Sequence, residues 1–229
     1  MTVGPSIYWY LTRSTGAVAL VLLTAAVLVG IASIGRLRGP GLPRFVVDGV
    51  HRTVALLAVV FLVIHVITAV MDSFVSISLV NAVIPFSGSY RPFWLGLGAA
   101  AFDLMVAVLV TSLLRVRVGH ERWRRIHWLA YLSWPIAVVH GFGTGSDAQQ
   151  SWMLLIDVVC ILSVLGAVVV RALIGWPDNA GLRIGALSAA GVFAIGLLLW
   201  LPAGPLGKGW AQRSGTPPAL LSTAHGSRA

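Results

Sequence analysis

Six apolar runs separated by short polar stretches set the architecture of this chain. They cover about 14–34, 50–72, 93–114, 126–142, 152–174 and 182–201. A helix needs roughly 20 residues, rising about 1.5 Å each, to cross a hydrocarbon core of about 30 Å. The fourth run is the shortest and contains Pro135. None alternates with a period of two, and in lipid only helices or closed barrels satisfy every backbone group. The pattern predicts an all-α integral membrane protein, a bundle of six transmembrane helices within residues 1–201. Residues 73–92 (SFVSISLVNAVIPFSGSYRP) are too interrupted to span and suit a strip over the outer mouth of the bundle. Residues 202–229, rich in Gly, Pro and Ser, are expected to form an irregular extracytoplasmic tail.

Composition supports lipid as the solvent. Of the 229 residues, 58% are hydrophobic and 10% charged, too apolar for a soluble domain. A formal charge of +9 in a soluble protein would suggest nucleic acid, but here the arginines cluster between the apolar runs. Eleven basic residues fall on one side: Arg36, Arg38, Arg44, Arg52, Arg115, Arg117, Arg122, Arg124, Arg125, Arg171 and Arg183. The other side has Arg13, Arg91, Lys208, Arg213 and Arg228. The positive-inside rule therefore places both termini outside and the Arg-rich loops in the cytoplasm. Because Arg36 and Arg38 follow the first apolar run, that run is expected to be a mature helix and not a signal peptide. The single cysteine, Cys160, excludes an intramolecular disulfide, a zinc cluster of the Cys type and an iron–sulfur cluster. It reads as a small buried apolar residue.

Candidate chemistry lies in histidines that bracket two of the runs. His51 and His65 are 14 positions apart in the second, and His127 and His140 are 13 apart in the fourth. On helices these are rises of roughly 20 Å. The second and fourth spans run in the same direction, so His51 and His127 share an inner depth and His65 and His140 an outer one. Fourteen residues turn about 1400°, only about 40° short of four turns, so the first pair shares a face. Thirteen fall about 140° short, and the second pair needs a kinked or tightened helix, for which Pro135 is the candidate. A histidine at a membrane boundary often just reaches headgroup water. Four with near-equal spacing in parallel spans suit two stacked planar macrocycles, each iron ligated from both sides. His120 and His225 read as solvated.

These histidines, with YLTRSTG at 10–16, RWRRIHWLAYLSWPIAVVHG at 122–141 and GTGSD at 143–147, resemble the ferric reductase-like transmembrane domain family. That family includes the NADPH oxidases, yeast-type ferric reductases and the heme subunit supporting periplasmic methionine sulfoxide reductase. The likeness covers roughly residues 8–175. It implies an inner heme b on His51 and His127 and an outer one on His65 and His140. The oxidases and eukaryotic reductases carry a cytoplasmic FAD and NADPH domain after the bundle. Here the tail is expected outside, so a separate donor is required.

Heme propionates in a membrane call for cations. Arg13, which matches an arginine of the family's first helix, and Arg52 beside His51 are candidates, each with the alternative of an interfacial arginine. Arg91 is placed to cover the outer heme from its loop. Asp103, inside the third span, either holds a histidine Nδ1–H or bonds a neighbouring helix while protonated. Asp157 reads as interfacial. Trp128, Tyr131 and Trp134 either pack on macrocycle faces or belong to the belt and core.

Bis-histidine iron has no free coordination position, which leaves one-electron exchange as its chemistry. The expected function is a di-heme b electron-transfer protein of the plasma membrane. Its donor would be a cytoplasmic flavin reductase or membrane quinol, and its acceptor an extracytoplasmic flavoprotein or ferric iron. The alternatives are a ferric or flavin reductase with its own outer acceptor site, and a non-redox transporter or scaffold.

Overall fold

The structure, a computed structural model, describes residues 6–33, 43–174, 176–218 and 220–221. Ten helices follow in order: α1 (Ile7–Ser33), α2 (Arg44–Met71), α3 (Leu79–Val83), α4 (Pro92–Leu113), α5 (Arg115–Val118), α6 (His120–His127), α7 (Leu129–Thr144), α8 (Ser151–Leu173), α9 (Ala180–Ala203) and α10 (Trp210–Arg213). No strand occurs among the described residues. Five helices, α1, α2, α4, α8 and α9, are long and apolar enough to cross a membrane. The protein is a multi-pass membrane helical bundle.

Helix α2 begins six residues before its apolar run, and two further differences from the hydropathy pattern have a visible physical cause. Helix α1 begins seven residues before the apolar run, because Ser6 Oγ accepts the Trp9 N–H (3.1 Å) as an N-cap. The aromatic turn Tyr8–Tyr10 adds helix without adding to the apolar run. The fourth run is divided into α6 and α7 around Trp128. There the Trp128 N–H donates to the Arg125 carbonyl (3.3 Å) and the Tyr131 N–H to the Trp128 carbonyl (3.0 Å). These i→i−3 bonds wind the chain by about 20° more per residue than an α-helix, the sense needed to bring His127 toward the face of His140. Pro135 lies inside α7, which continues through it.

The core centres on α1, the most enclosed of the long helices. It lies along α2 and also meets α7 and α8, while α4 packs on α7 and α8 on α9. Val27 and Ile31 of α1 meet Trp134, Val138 and Phe142 of α7, Cys160 and Val164 of α8, and Leu197 of α9. Polar residues inside α1 are satisfied within the helix: Thr15 and Thr24 donate to the carbonyls of Leu11 (2.6 Å) and Leu20 (2.8 Å). Leu56, Leu57 and Val60 of α2 and Leu198 and Leu199 of α9 remain exposed, as apolar side chains do when lipid is the solvent.

Segment 73–92 carries α3, begun by a Ser78–Asn81 capping box, and α3 leans on α4. The tail expected to be irregular is tied down where it is described. Trp210 Nε1–H donates to the Gly143 carbonyl (3.1 Å), and the Arg91 N–H to the Gly215 carbonyl (3.0 Å). Arg36, Arg38, His225 and Arg228 lie outside the described residues.

Candidate functional site

Helices α1 and α2 run antiparallel, and their contacts are set by glycines facing imidazoles. His65 Nδ1 lies 2.8 Å from the Thr12 carbonyl, and a Cβ on Gly16 would stand 2.9 Å from the His65 ring. At the other end, His51 Nδ1 lies 3.1 Å from the Ala26 carbonyl, and a Cβ on Gly30 would meet the His51 ring at 3.5 Å. Helices α4 and α7 repeat the arrangement. His140 Nδ1 lies 2.9 Å from the Trp94 carbonyl, with Gly98 directly against the ring. A glycine four residues after a helical carbonyl uncovers that carbonyl on the neighbour's side. Since a carbonyl only accepts, each of these Nδ1 atoms carries the proton, and the lone pair resides on Nε2.

The tertiary structure brings the four histidines together as two levels. At the inner level the rings of His51 and His127 have centroids 6.1 Å apart. Two imidazoles ligating one metal from opposite sides, with bonds of about 2 Å, place their ring centres roughly 6 Å apart. His127 Nδ1 is buried without a hydrogen-bond partner. The cavity here is about 60 Å³, lined by Leu23, Met105, Val108 and Tyr131 together with small residues such as Ala26, Gly30 and Ala55. At the outer level His65 and His140 line one cavity of about 340 Å³ that continues past Ala17, Ala99 and Ala137 to Arg13 and Asp147 at the mouth. Ligand geometry thus fits a bis-histidine macrocycle at the inner level, and room and prepared Nε2 atoms fit one at the outer level. Among the described residues, no three His, Cys, Asp or Glu side chains gather to hold a bare metal ion.

The remaining candidates separate. Arg13 is ion-paired with Asp147 and stacks over the Trp9 ring at 3.7 Å. It lines the outer cavity. Arg91 is buried and turned away from that cavity: its guanidinium donates to Thr216 Oγ1 (2.9 Å) and to the carbonyls of Gly143 and Thr144 (3.1 Å each). It ties the tail to the end of α7. Burial lowers the Arg91 pKa and raises that of neighbouring Tyr90. Arg52 is exposed beside His51. Asp103 is half-buried on α4 and bonds no histidine, since backbone carbonyls take the Nδ1 protons of His51, His65 and His140. Asp157, expected at the interface, is buried in α8.

Of the aromatics, Tyr131 lines the inner cavity, and Trp128 is 60% exposed. Trp134 is 3% exposed and donates Nε1–H to Thr24 Oγ1 (2.9 Å) within the α1–α7 core. The sequence reading missed Asp147 as the partner of Arg13, and Gly16, Gly30 and Gly98 as the seats of the imidazoles. A signal existed: Gly16 and Gly30 are 14 positions apart, the same interval as His51 and His65.

Comparison with known families adds one finding. A family model described as the ferric reductase like transmembrane component matches residues 15–138, over half of the chain. The match contains His51, His65 and His127 and stops two residues before His140. Searches of curated proteins and of solved structures find no match.

Proposed function

The chain belongs to the ferric reductase-like transmembrane component family, and from that premise we propose that it is a di-heme b electron-transfer protein of the plasma membrane. The observation that carries the reading is the pairing of α2 histidines with one histidine of α6 and one of α7 at the two ends of the bundle, with the inner rings 6.1 Å apart. Bound there, heme would supply reversible one-electron chemistry. His51 and His127 hold the inner site; His65 and His140 hold the outer one. The carbonyls of Ala26, Thr12 and Trp94 orient three of the four rings so that Nε2 is the ligating atom. Arg13, ion-paired with Asp147, lines the outer mouth as a hydrogen-bond donor for a propionate, and Arg52 is the cation beside the inner site.

On this reading α6 and α7 together make the fourth of six spans. Both termini are extracytoplasmic, and Arg44, Arg52 and the arginines of α5 and α6 face the cytoplasm. Electrons move outward from a separate cytoplasmic flavin reductase or membrane quinol to an extracytoplasmic flavoprotein or ferric iron. The continuity of the outer cavity with its mouth at Arg13, Asn81 and Tyr90 favours a second reading, in which the acceptor itself, ferric iron or a flavin, is reduced in that mouth.

The test is a pyridine hemochrome assay and a reduced-minus-oxidised spectrum of the detergent-purified protein. Two low-spin b-type hemes per chain are expected. One would leave a shorter electron path. None, after expression with ample heme supply, would sink the proposal and bring the transporter or scaffold alternative forward.

A further inference from the structure

Three of the four imidazoles share one seat: a carbonyl on the facing helix and a glycine four residues after it. The seats are Thr12 with Gly16, Ala26 with Gly30, and Trp94 with Gly98. The two copies in α1 are 14 positions apart. Fourteen positions beyond Gly98, in α4, stands Ser112. Its side chain accepts the Trp123 Nε1–H (3.2 Å), and the Trp123 ring lies 5.0 Å from that of His127. The carbonyl that would complete a fourth seat, that of Val108, already accepts from Thr111 Oγ1 (3.2 Å). His127 Nδ1 is correspondingly the buried side-chain nitrogen left without a partner.

From this missing seat we infer that the two levels are poised unequally, the inner heme having the higher reduction potential, and that Ser112 and Thr111 set the difference as positioning residues. The inference rests on the di-heme reading. An imidazole whose Nδ1–H is held by a carbonyl is a more basic ligand, and a more basic ligand favours oxidised iron. The outer level has two such bonds and the inner level one. Charge acts in the same direction. Arg52, Arg122, Arg124 and Arg125 lie beside or near the inner histidines in sequence, whereas Arg13 at the outer mouth is neutralised by Asp147. Positive charge favours the site that gains an electron. Outward transfer would then run from the higher to the lower potential, with the inside-negative membrane field driving it.

The test is a spectroelectrochemical titration of the purified holoprotein, with heme counted in each sample. Two midpoints are expected. The His65→Ala variant should retain the higher one and the His51→Ala variant the lower one. Ser112→Gly should shift the higher midpoint downward and leave the lower one in place. If Ser112→Gly fails to accumulate, Thr111→Val, which removes the hydroxyl bond to the Val108 carbonyl, reads the same shift. Equal midpoints, the reverse order, or a Ser112→Gly protein with two hemes and unmoved midpoints would overturn the inference alone. Fewer than two hemes in the unaltered protein would overturn the di-heme reading and this inference with it.

Discussion

At the outer level, His65 and His140 face a cavity of about 340 Å³, and both Nδ1 atoms meet backbone carbonyls. At the inner level, His51 and His127 stand ring to ring beside about 60 Å³, and only His51 has such an acceptor. Each level draws one histidine from α2, and its partner comes from α6 at the inner level and from α7 at the outer one. What differs is the company. Gly16, Ala17, Gly98, Ala99 and Ala137 line the outer cavity; Leu23 and Met105 line both, and Val27, Val108 and Tyr131 stand with Ala26, Gly30 and Ala55 about the inner pair. The spacing of imidazoles sets where a metal could be held.

The hardest blow to this comparison is removal of a ligand on each level in turn. His140→Ala and His51→Ala are each expected to lower the hemochrome count from two to one; loss of both hemes from either variant would mean that the levels are not independent. Glycine seats come next. Gly98→Ala forces a Cβ into the His140 ring, and overpacking of that kind costs about 1–3 kcal/mol. The expected outcome is loss of the outer heme with the inner retained. Gly30→Ala puts its Cβ at ordinary contact distance, 3.5 Å, from His51, so its absorption spectrum should match that of the unaltered protein. Equal damage from the two variants would show that close seating does not distinguish the levels.

Smaller effects sharpen the picture at the edges. Arg13→Gln leaves the Asp147 carboxylate without its ion-pair partner, and an unsatisfied buried group costs about 1–3 kcal/mol. Arg52→Gln alters an exposed side chain and should stay within about 0.5 kcal/mol. Thermal melts of the two purified variants measure the contrast, and comparable losses would argue against a structured outer mouth. Trp134→Phe removes the hydrogen bond to Thr24. It should cost about 1 kcal/mol and leave both heme bands unmoved, since Trp134 lines neither cavity. A shifted heme band would return that indole to the site.

Much of this was legible in the chain because lipid makes hydropathy a direct report on secondary structure. Apolar runs had to be helices, and they are; α4, α8 and α9 lie close to their runs. The histidines were legible for a related reason, since an ionisable ring beside 20 apolar residues is costly without a partner. Other features were not. The arginine at 91 looked like a cation available to a cofactor, and nothing local indicated that carbonyls of Gly143 and Thr144 and the hydroxyl of Thr216 would claim it. Pro135 drew attention as the expected distortion, while the break between helices lies at Trp128. Proline is visible as a letter; a run of i→i−3 bonds is not.

The sequence by itself determined that the chain is a membrane helical bundle with imidazoles at two depths. Both follow from one-dimensional quantities: the length of an apolar run and the number of residues between two histidines. Only the tertiary structure decided which carbonyl each Nδ1 meets, which glycine each ring rests on, and that one of the four lacks such a seat. Those depend on the register of one helix against another. That register is fixed by close packing of small residues between helices, and no single segment contains it.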